Sequence, residues 1–255
     1  MKNWKLYPLV AIAIIGCAIQ AQAQERIEAS IDADIVSHYW WRGIDKGHVS
    51  IQPEASLSWQ GLKLSVDGNT GFDSDDAHEI NLKLQYSKFG FNIGAIDYWT
   101  SGIDANNRYF YYNEKKGGHQ FEGNIGYTCD YFSLQAYTVV WGGDYKINGD
   151  KAYSTFVELS IPFKLGGIDW DLRGGITPFE SAGYQTEKPA TDGWPAGGYQ
   201  NNYYYADGFS CVMASLRATK SLDLGFTEIP LFAEFHSNPY MRRADLIFGI
   251  TIKPL

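Results

Sequence analysis

Ile51-Gln52-Pro53-Glu54-Ala55-Ser56-Leu57-Ser58-Trp59 decides the fold. Ile51, Pro53, Ala55, Leu57 and Trp59 are apolar, and Gln52, Glu54, Ser56 and Ser58 between them are polar. Period two places the two sets on opposite faces of a β-strand, whereas a helix would scatter both around its circumference. The pattern continues outward. After Gln60-Gly61, Leu62, Leu64 and Val66 alternate with Lys63, Ser65 and Asp67. Then Ile80, Leu82, Leu84 and Tyr86 alternate with Glu79, Asn81, Lys83 and Gln85. Nine further strands are drawn at roughly 26–42, 90–99, 119–128, 131–142, 152–163, 167–177, 208–220, 228–237 and 243–253, which makes twelve. In the strand 90–99, Phe91, Ile93 and Ala95 share one face while Ile96 and Tyr98 sit on the other, which predicts a bulge near Ala95.

The N-terminus reads as an export signal. Lys2 and Lys5 precede the apolar run Tyr7 to Ile19, and Ala21-Gln22-Ala23 is a small-x-small cleavage site. The run is too short to span a bilayer as a helix, so residues 1–23 are read as a signal peptide and 24–255 as the mature domain. Ile14-Ile15-Gly16-Cys17 matches a lipoprotein box only loosely, because Ile15 is bulky; cleavage after Ala23 is the stronger reading. The mature chain keeps 19 basic and 29 acidic residues, a charge of about −10, which argues against nucleic acid as a partner. Its two cysteines, Cys129 and Cys211, do not make a disulfide framework.

Alternation alone does not say which face meets water, since a soluble sandwich or small barrel alternates identically. Three features favour a membrane. Strands of about ten residues fit a tilted span. Connections alternate between short turns (Gln60-Gly61, Ser87–Gly90, Cys129-Asp130, Lys164–Gly167) and longer polar loops (43–49, 72–77, 100–118, 143–151, 178–207). Aromatics gather at strand ends: Trp59, Tyr86, Phe91, Tyr127, Phe132, Phe163 and Trp170 near the turns, Tyr39, Trp41, Trp99, Trp141 and Tyr153 near the loops. The expected fold is all-β, a single antiparallel up-and-down barrel of about twelve strands in the bacterial outer membrane, its short turns periplasmic.

Ser37-His38-Tyr39-Trp40-Trp41-Arg42-Gly43-Ile44 resembles the S-x-Y-x-x-R-G-I segment near the mature N-terminus of the TorF-type porin family. Ile51-Gln52-Pro53-Glu54-Ala55-Ser56 fills the place of that family's following Pro-bearing strand, and Ala244–Ile252 is similar to its closing strand. The resemblance covers roughly residues 26–70 and is diffuse beyond; the ending Lys253-Pro254-Leu255 departs from it by lacking a terminal aromatic. It implies an outer-membrane barrel with a porin function.

If the polar face lines a lumen, the residues there are Arg42, Glu54, Asp67, Lys83, Glu122, Glu158, Arg173, Arg217, Glu234 and Asp245. Facing charges set the selectivity of a water-filled lumen, or pair into a network that fills a narrow one. Arg42, after three aromatics at the outer end of the first strand, reads equally as a constriction cation or as an ion-pair partner. His38, His48, His78, His119 and His236 lack metal-ligand spacing, and Asp73-Ser74-Asp75-Asp76 lacks the later Gly and Glu of a calcium loop, so no metal and no cofactor is expected and the acidic run reads as solvated. An enzyme ranks third. Ser37 and His38 point to opposite faces, and Ser210 with His236 is the one conceivable pair. The aromatic segment Thr177–Asp207 is expected to be an ordered lid. The leading functional expectation is passive or facilitated diffusion of a small hydrophilic solute, without catalysis. The alternative is a non-conducting barrel acting through its outer loops. The expected partners are outer-membrane lipid, the solute, and the periplasmic chaperones and barrel-assembly machinery.

Overall fold

The structure, a computed structural model, describes residues 26–73, 76, 78–103, 106–187, 199–225 and 227–253. The expected signal peptide and the ending Pro254-Leu255 lie outside the described residues. The strands in chain order are β1 (Glu28–Val36), β2 (Tyr39–Trp41), β3 (Ile44–Gly47), β4 (Ser50–Trp59), β5 (Leu62–Gly71), β6 (Glu79–Lys88), β7 (Phe91–Thr100) and β8 (His119–Thr128). They continue as β9 (Ser133–Trp141), β10 (Thr155–Leu165), β11 (Ile168–Thr177), β12 (Gly183–Glu187), β13 (Tyr199–Tyr203), β14 (Ser210–Asp223), β15 (Glu228–Asn238) and β16 (Arg243–Ile252). Twelve of them close into one antiparallel barrel in the order β1-β16-β15-β14-β11-β10-β9-β8-β7-β6-β5-β4. Closure is made by Ala33–Val36 of β1 against Gly249–Ile252 of β16. Every wall strand therefore has a hydrogen-bonded neighbour on both sides, and the barrel has no edge strand.

Chemistry fixes which face is which. Exposed and half-exposed apolar side chains run around the outside, as in the row Ile161, Leu172, Leu216, Phe235 and Leu246, which are in register across five neighbouring strands. Buried polar ones, among them Ser56, Ser65, Asn81, Glu122, Ser215 and Glu234, face inward. A soluble barrel has the opposite arrangement. Three tight turns at one end, Gln60-Gly61, Phe89-Gly90 and Gly166-Gly167, have positive φ at both central residues, the signature of type I′ hairpins. The long connections gather at the other end, beyond Val36, Gly71, Thr100, Trp141 and Thr177.

The first strand is shorter than the sequence suggested. Its expected course to Arg42 ends at Val36, and the chain then leaves the wall. Tyr39–Trp41 and Ile44–Gly47 form a separate hairpin, β2–β3, with Arg42-Gly43 at its tip. Arg42 has φ 51° and Gly43 φ 80°, the same signature as the wall turns. The expected bulge near Ala95 is absent: β7 keeps unbroken register with β6 and β8. Ile96 and Tyr98 lie on the regular inward face, where the hairpin supplies their apolar surroundings. The irregularities fall instead between Phe121 and Glu122 and between Gly175 and Ile176.

Candidate functional site

The hairpin β2–β3 sits inside the barrel. At its tip the Arg42 guanidinium donates to both carboxylate oxygens of Glu122 on β8, Nη1 to Oε2 at 2.6 Å and Nη2 to Oε1 at 3.0 Å. This is the paired geometry that makes Arg–carboxylate contacts strong. Tyr98 Oη donates to the same carboxylate at 3.1 Å. The guanidinium carbon lies 3.7 Å from the Tyr137 ring centroid and 4.5 Å from that of Trp41, within cation–π range. Further contacts fix the hairpin's flanks. Lys46 Nζ meets Glu79 at 2.9 Å, Tyr39 Oη donates to Glu79 at 3.0 Å, and Asn238 Nδ2 donates to the Gly43 carbonyl at 2.9 Å. Asp45, near the outer mouth, is held between His38 at 2.8 Å and Arg243 at 2.7 Å. Burial works against its charge, but the hydrogen bond and charge of His38, then Arg243 and the Gly47 N–H, outweigh it and lower its pKa below the usual aspartate value.

The outer mouth closes over this hairpin. Phe156, Tyr205, Ala206, Val212 and Met213 form a buried cluster, with Ile44, Tyr137 and Tyr204 packed on it. Tyr205 belongs to the base of the segment expected to be a lid. Strands β12 and β13 pair with one another, and Tyr205 N and Ala206 N donate to Ser181 Oγ, so the base of the segment is ordered in the mouth; residues 188–198 lie outside the described residues.

Beneath the hairpin lies a cavity of about 370 Å³, lined by Trp40, Trp41, Arg42, Lys83, Arg173 and Arg217 with Glu158, Glu234 and His236. Of the ten residues assigned from sequence to the polar face, Arg42, Lys83, Glu158, Arg173, Arg217 and Glu234 line this cavity, and most of the ten are paired. Arg42 binds Glu122, Lys63 binds Glu54 at 2.7 Å, Lys83 binds Asp67 at 2.7 Å, and Arg217 binds Glu234 at 2.7 Å. Arg173 is joined through Nε to Asp171 at 2.6 Å. Glu158 and Asp245 form no ion pair among the described residues. Exposure falls along the lumen: side chains are 43 % exposed at Lys63 near the short turns, 34 % at Lys83, 25 % at Arg173, and 9 % and 2 % at Arg42 and Glu122. Solvent therefore enters from the short-turn end and stops at the hairpin.

Several sequence expectations are relocated. Tyr39 and Trp41 belong to the lumen rather than to an outer girdle, because their strand leaves the wall. Trp99 is on the outer face but buried, since residues 106–118 of the following connection fold back over it. Tyr109 packs on Trp99, and Tyr112 stacks 4.0 Å from His119, which donates to or accepts from Asp97 at 2.8 Å. The exposed aromatics at that end include Phe72, Phe110, Phe179 and Phe209, together with Tyr153 of the expected girdle. His38 and His236 do not meet; the Trp40 ring lies between them, 6.2 Å and 5.1 Å away. Ser210 pairs with Thr177, and the residue opposite His236 is Ser215. Asp76 is not solvated but nearly buried, 3.6 Å from His48, which also meets Asp73 at 3.1 Å. Glu79 was read from sequence as a polar-face residue, whereas Tyr98, Tyr137 and Phe156 were not assigned to the site; the phase change at Ile96 and Tyr98 was the one trace of them.

No protein-family model matches the chain, and no curated protein is similar to it. Among solved structures, a chain from work on the mechanism behind in-meso crystallization of membrane proteins aligns with TM-score 0.45 and 7 % identity. The alignment covers 89 % of this chain and 83 % of that one, and no argument rests on it. The chain is a closed twelve-stranded antiparallel β-barrel with an apolar exterior and a polar lumen that holds an inserted hairpin.

Proposed function

We propose that the protein is a bacterial outer-membrane barrel whose lumen is a gated path for a small hydrophilic solute, with β2–β3 as the gate. An apolar exterior, a polar interior, strands of about ten residues and loops segregated by end support the membrane placement. The export-signal reading of residues 1–23 and the TorF-type resemblance of residues 37–44 belong to the same proposal, as do the chaperones and assembly machinery that such a barrel requires. The observation that carries the gate is the Arg42–Glu122 pair. It is the deepest contact of a hairpin that is not part of the wall, so the hairpin can leave without breaking a wall ladder. The alternative is a permanently closed barrel acting through its outer loops; the fully buried Phe156–Tyr205–Val212 cluster favours it.

Planar-bilayer recording separates the two. The wild-type protein should be nearly silent, and a variant with residues 38–48 replaced by a short Gly/Ser linker should conduct. Silence in both would establish the closed barrel. Steady, large conductance in the wild type would show that the hairpin is not the gate.

A further inference from the structure

The lumenal cavity distributes its charges unevenly. Arg42, Lys83, Arg173 and Arg217 line it, against only Glu158 and Glu234. The acids that balance Arg42, Lys83 and Arg173, namely Glu122, Asp67 and Asp171, are not part of its lining. The cavity surface thus shows four cations and two acids, although each cation also holds an acid through an ion pair. Arg173 and Arg217 are the pointed members. Each uses Nε to hold an acid, Asp171 at 2.6 Å and Glu234 at 2.7 Å. The terminal nitrogens of both make no hydrogen bond with the described residues. The two sit on neighbouring strands, with Asp171 in register with Arg217 and Arg173 in register with Ser215. Anchored side chains with free planar forks are pre-organised to take a carboxylate through paired hydrogen bonds. The Glu158 carboxylate lines the same cavity, two residues along β10 from Ser160, which is in register with Arg173, and it has no hydrogen-bonding partner among the described residues. The cations that act on Glu158 are Arg173 and Arg42, neither of them within ion-pair distance, so this half-buried carboxylate keeps room for a cation of its own.

We infer that this cavity binds a small zwitterion of the amino-acid class, its carboxylate on the Arg173 and Arg217 forks and its ammonium on Glu158. The two free guanidinium forks and the free carboxylate then have one explanation. The inference rests on the proposed reading of the lumen as a solute path, but binding is measurable in the closed wild-type barrel, which solvent enters from the short-turn end.

The test is calorimetric titration of the refolded mature protein in detergent with L-alanine and its two truncations, propionate, which lacks the ammonium, and ethylammonium, which lacks the carboxylate. Alanine should bind most tightly, propionate more weakly, and ethylammonium least. Arg173→Gln and Arg217→Gln should each weaken alanine by roughly tenfold or more, because a site built for polar groups loses much when one is removed. Glu158→Gln should bring alanine down to the affinity of propionate while leaving propionate unchanged or improved. Propionate matching alanine in the wild type, no binding of any probe, or alanine indifferent to Glu158→Gln would each overturn the inference. If a variant fails to fold, the wild-type probe order decides alone. Alanine binding together with silence of the hairpin-replaced variant would refute the gate and leave the zwitterion site standing.

Discussion

Arg42 carries the most interactions of any single residue in the lumen. It is almost fully enclosed, paired through two hydrogen bonds with Glu122 and flanked by the Tyr137 and Trp41 rings. A buried pair of this kind is not by itself a large source of stability, because both charges gave up water to form it. Breaking it is costly: leaving one partner buried and alone typically costs about 3–5 kcal/mol. In Glu122→Gln the unpaired guanidinium has a cheaper alternative than staying, which is to swing out with the hairpin into water. The wall ladders of β8 do not depend on it. Trypsin should therefore cleave after Arg42 or Lys46 in refolded Glu122→Gln and not in the wild type, while the barrel keeps its resistance to unfolding. An equally protected hairpin in the variant would show that aromatic packing, rather than the ion pair, holds it. The sequence left Arg42 open between constriction cation and ion-pair partner. Nothing in a single chain tells which acid, 80 residues away, a lumenal arginine meets.

The hairpin is the element whose existence the sequence carried without announcing. Arg42-Gly43 has the same backbone conformation as Gln60-Gly61 and Phe89-Gly90. X-Gly pairs of this kind were recognised as turns where alternating strands flanked them. At Arg42-Gly43 the flanks are only three and four residues long and do not alternate, so the first strand was extended through Tyr39–Trp41 to Arg42 and 43–49 was read as a loop. Gly43 tests the seat directly. A Cβ there would lie 1.8 Å from the Val212 carbonyl oxygen, which is backbone of the wall and cannot yield. Gly43→Ala should unseat the hairpin and raise conductance, with little change in barrel stability; a silent Gly43→Ala would place the gate elsewhere. Acid should loosen the same element. Asp45 has a lowered pKa when docked, so its contribution is fully present above the unfolded aspartate value of about 3.9 and is lost as pH falls through the lower, docked value. Wild-type recordings stepped from neutral pH to below about pH 4 should show openings that Asp45→Asn displays already at neutral pH. Openings that appear on raising the pH instead would contradict the sign.

At the scale of the molecule, period-two alternation placed the twelve wall strands and the two loop classes because each wall strand has one face of each kind. It was silent on which face meets water, a question of closure and environment rather than of period. It also missed what covers the wall locally, such as residues 106–118 over Trp99 and the Asp97–His119 pair, because such packing is non-local. Orientation is readable with the native thiols. Cys129 lies in a short turn and Cys211 at the loop end of β14, and both are free. With the loop end outside, a membrane-impermeant maleimide should label Cys211 and spare Cys129 on intact cells; the reverse pattern would invert the topology. The environment of the outer face is decided by Leu172. It is 48 % exposed, flanked along its strand by inward Asp171 and Arg173, and in register with Ile161 and Leu216. The neighbouring row is apolar throughout, so an arginine placed there has no acid to meet. This is a cleaner position than Leu82, whose outward partner on β7 is Asp97. If the row faces lipid, Leu172→Arg should cost roughly 2–4 kcal/mol when folding is measured in liposomes, the range for arginine near the bilayer midplane. If the row faces water, replacing an exposed leucine by arginine changes stability by no more than about 0.5 kcal/mol. The two expectations do not overlap, so a near-neutral Leu172→Arg would remove the barrel from the membrane and the solute path with it.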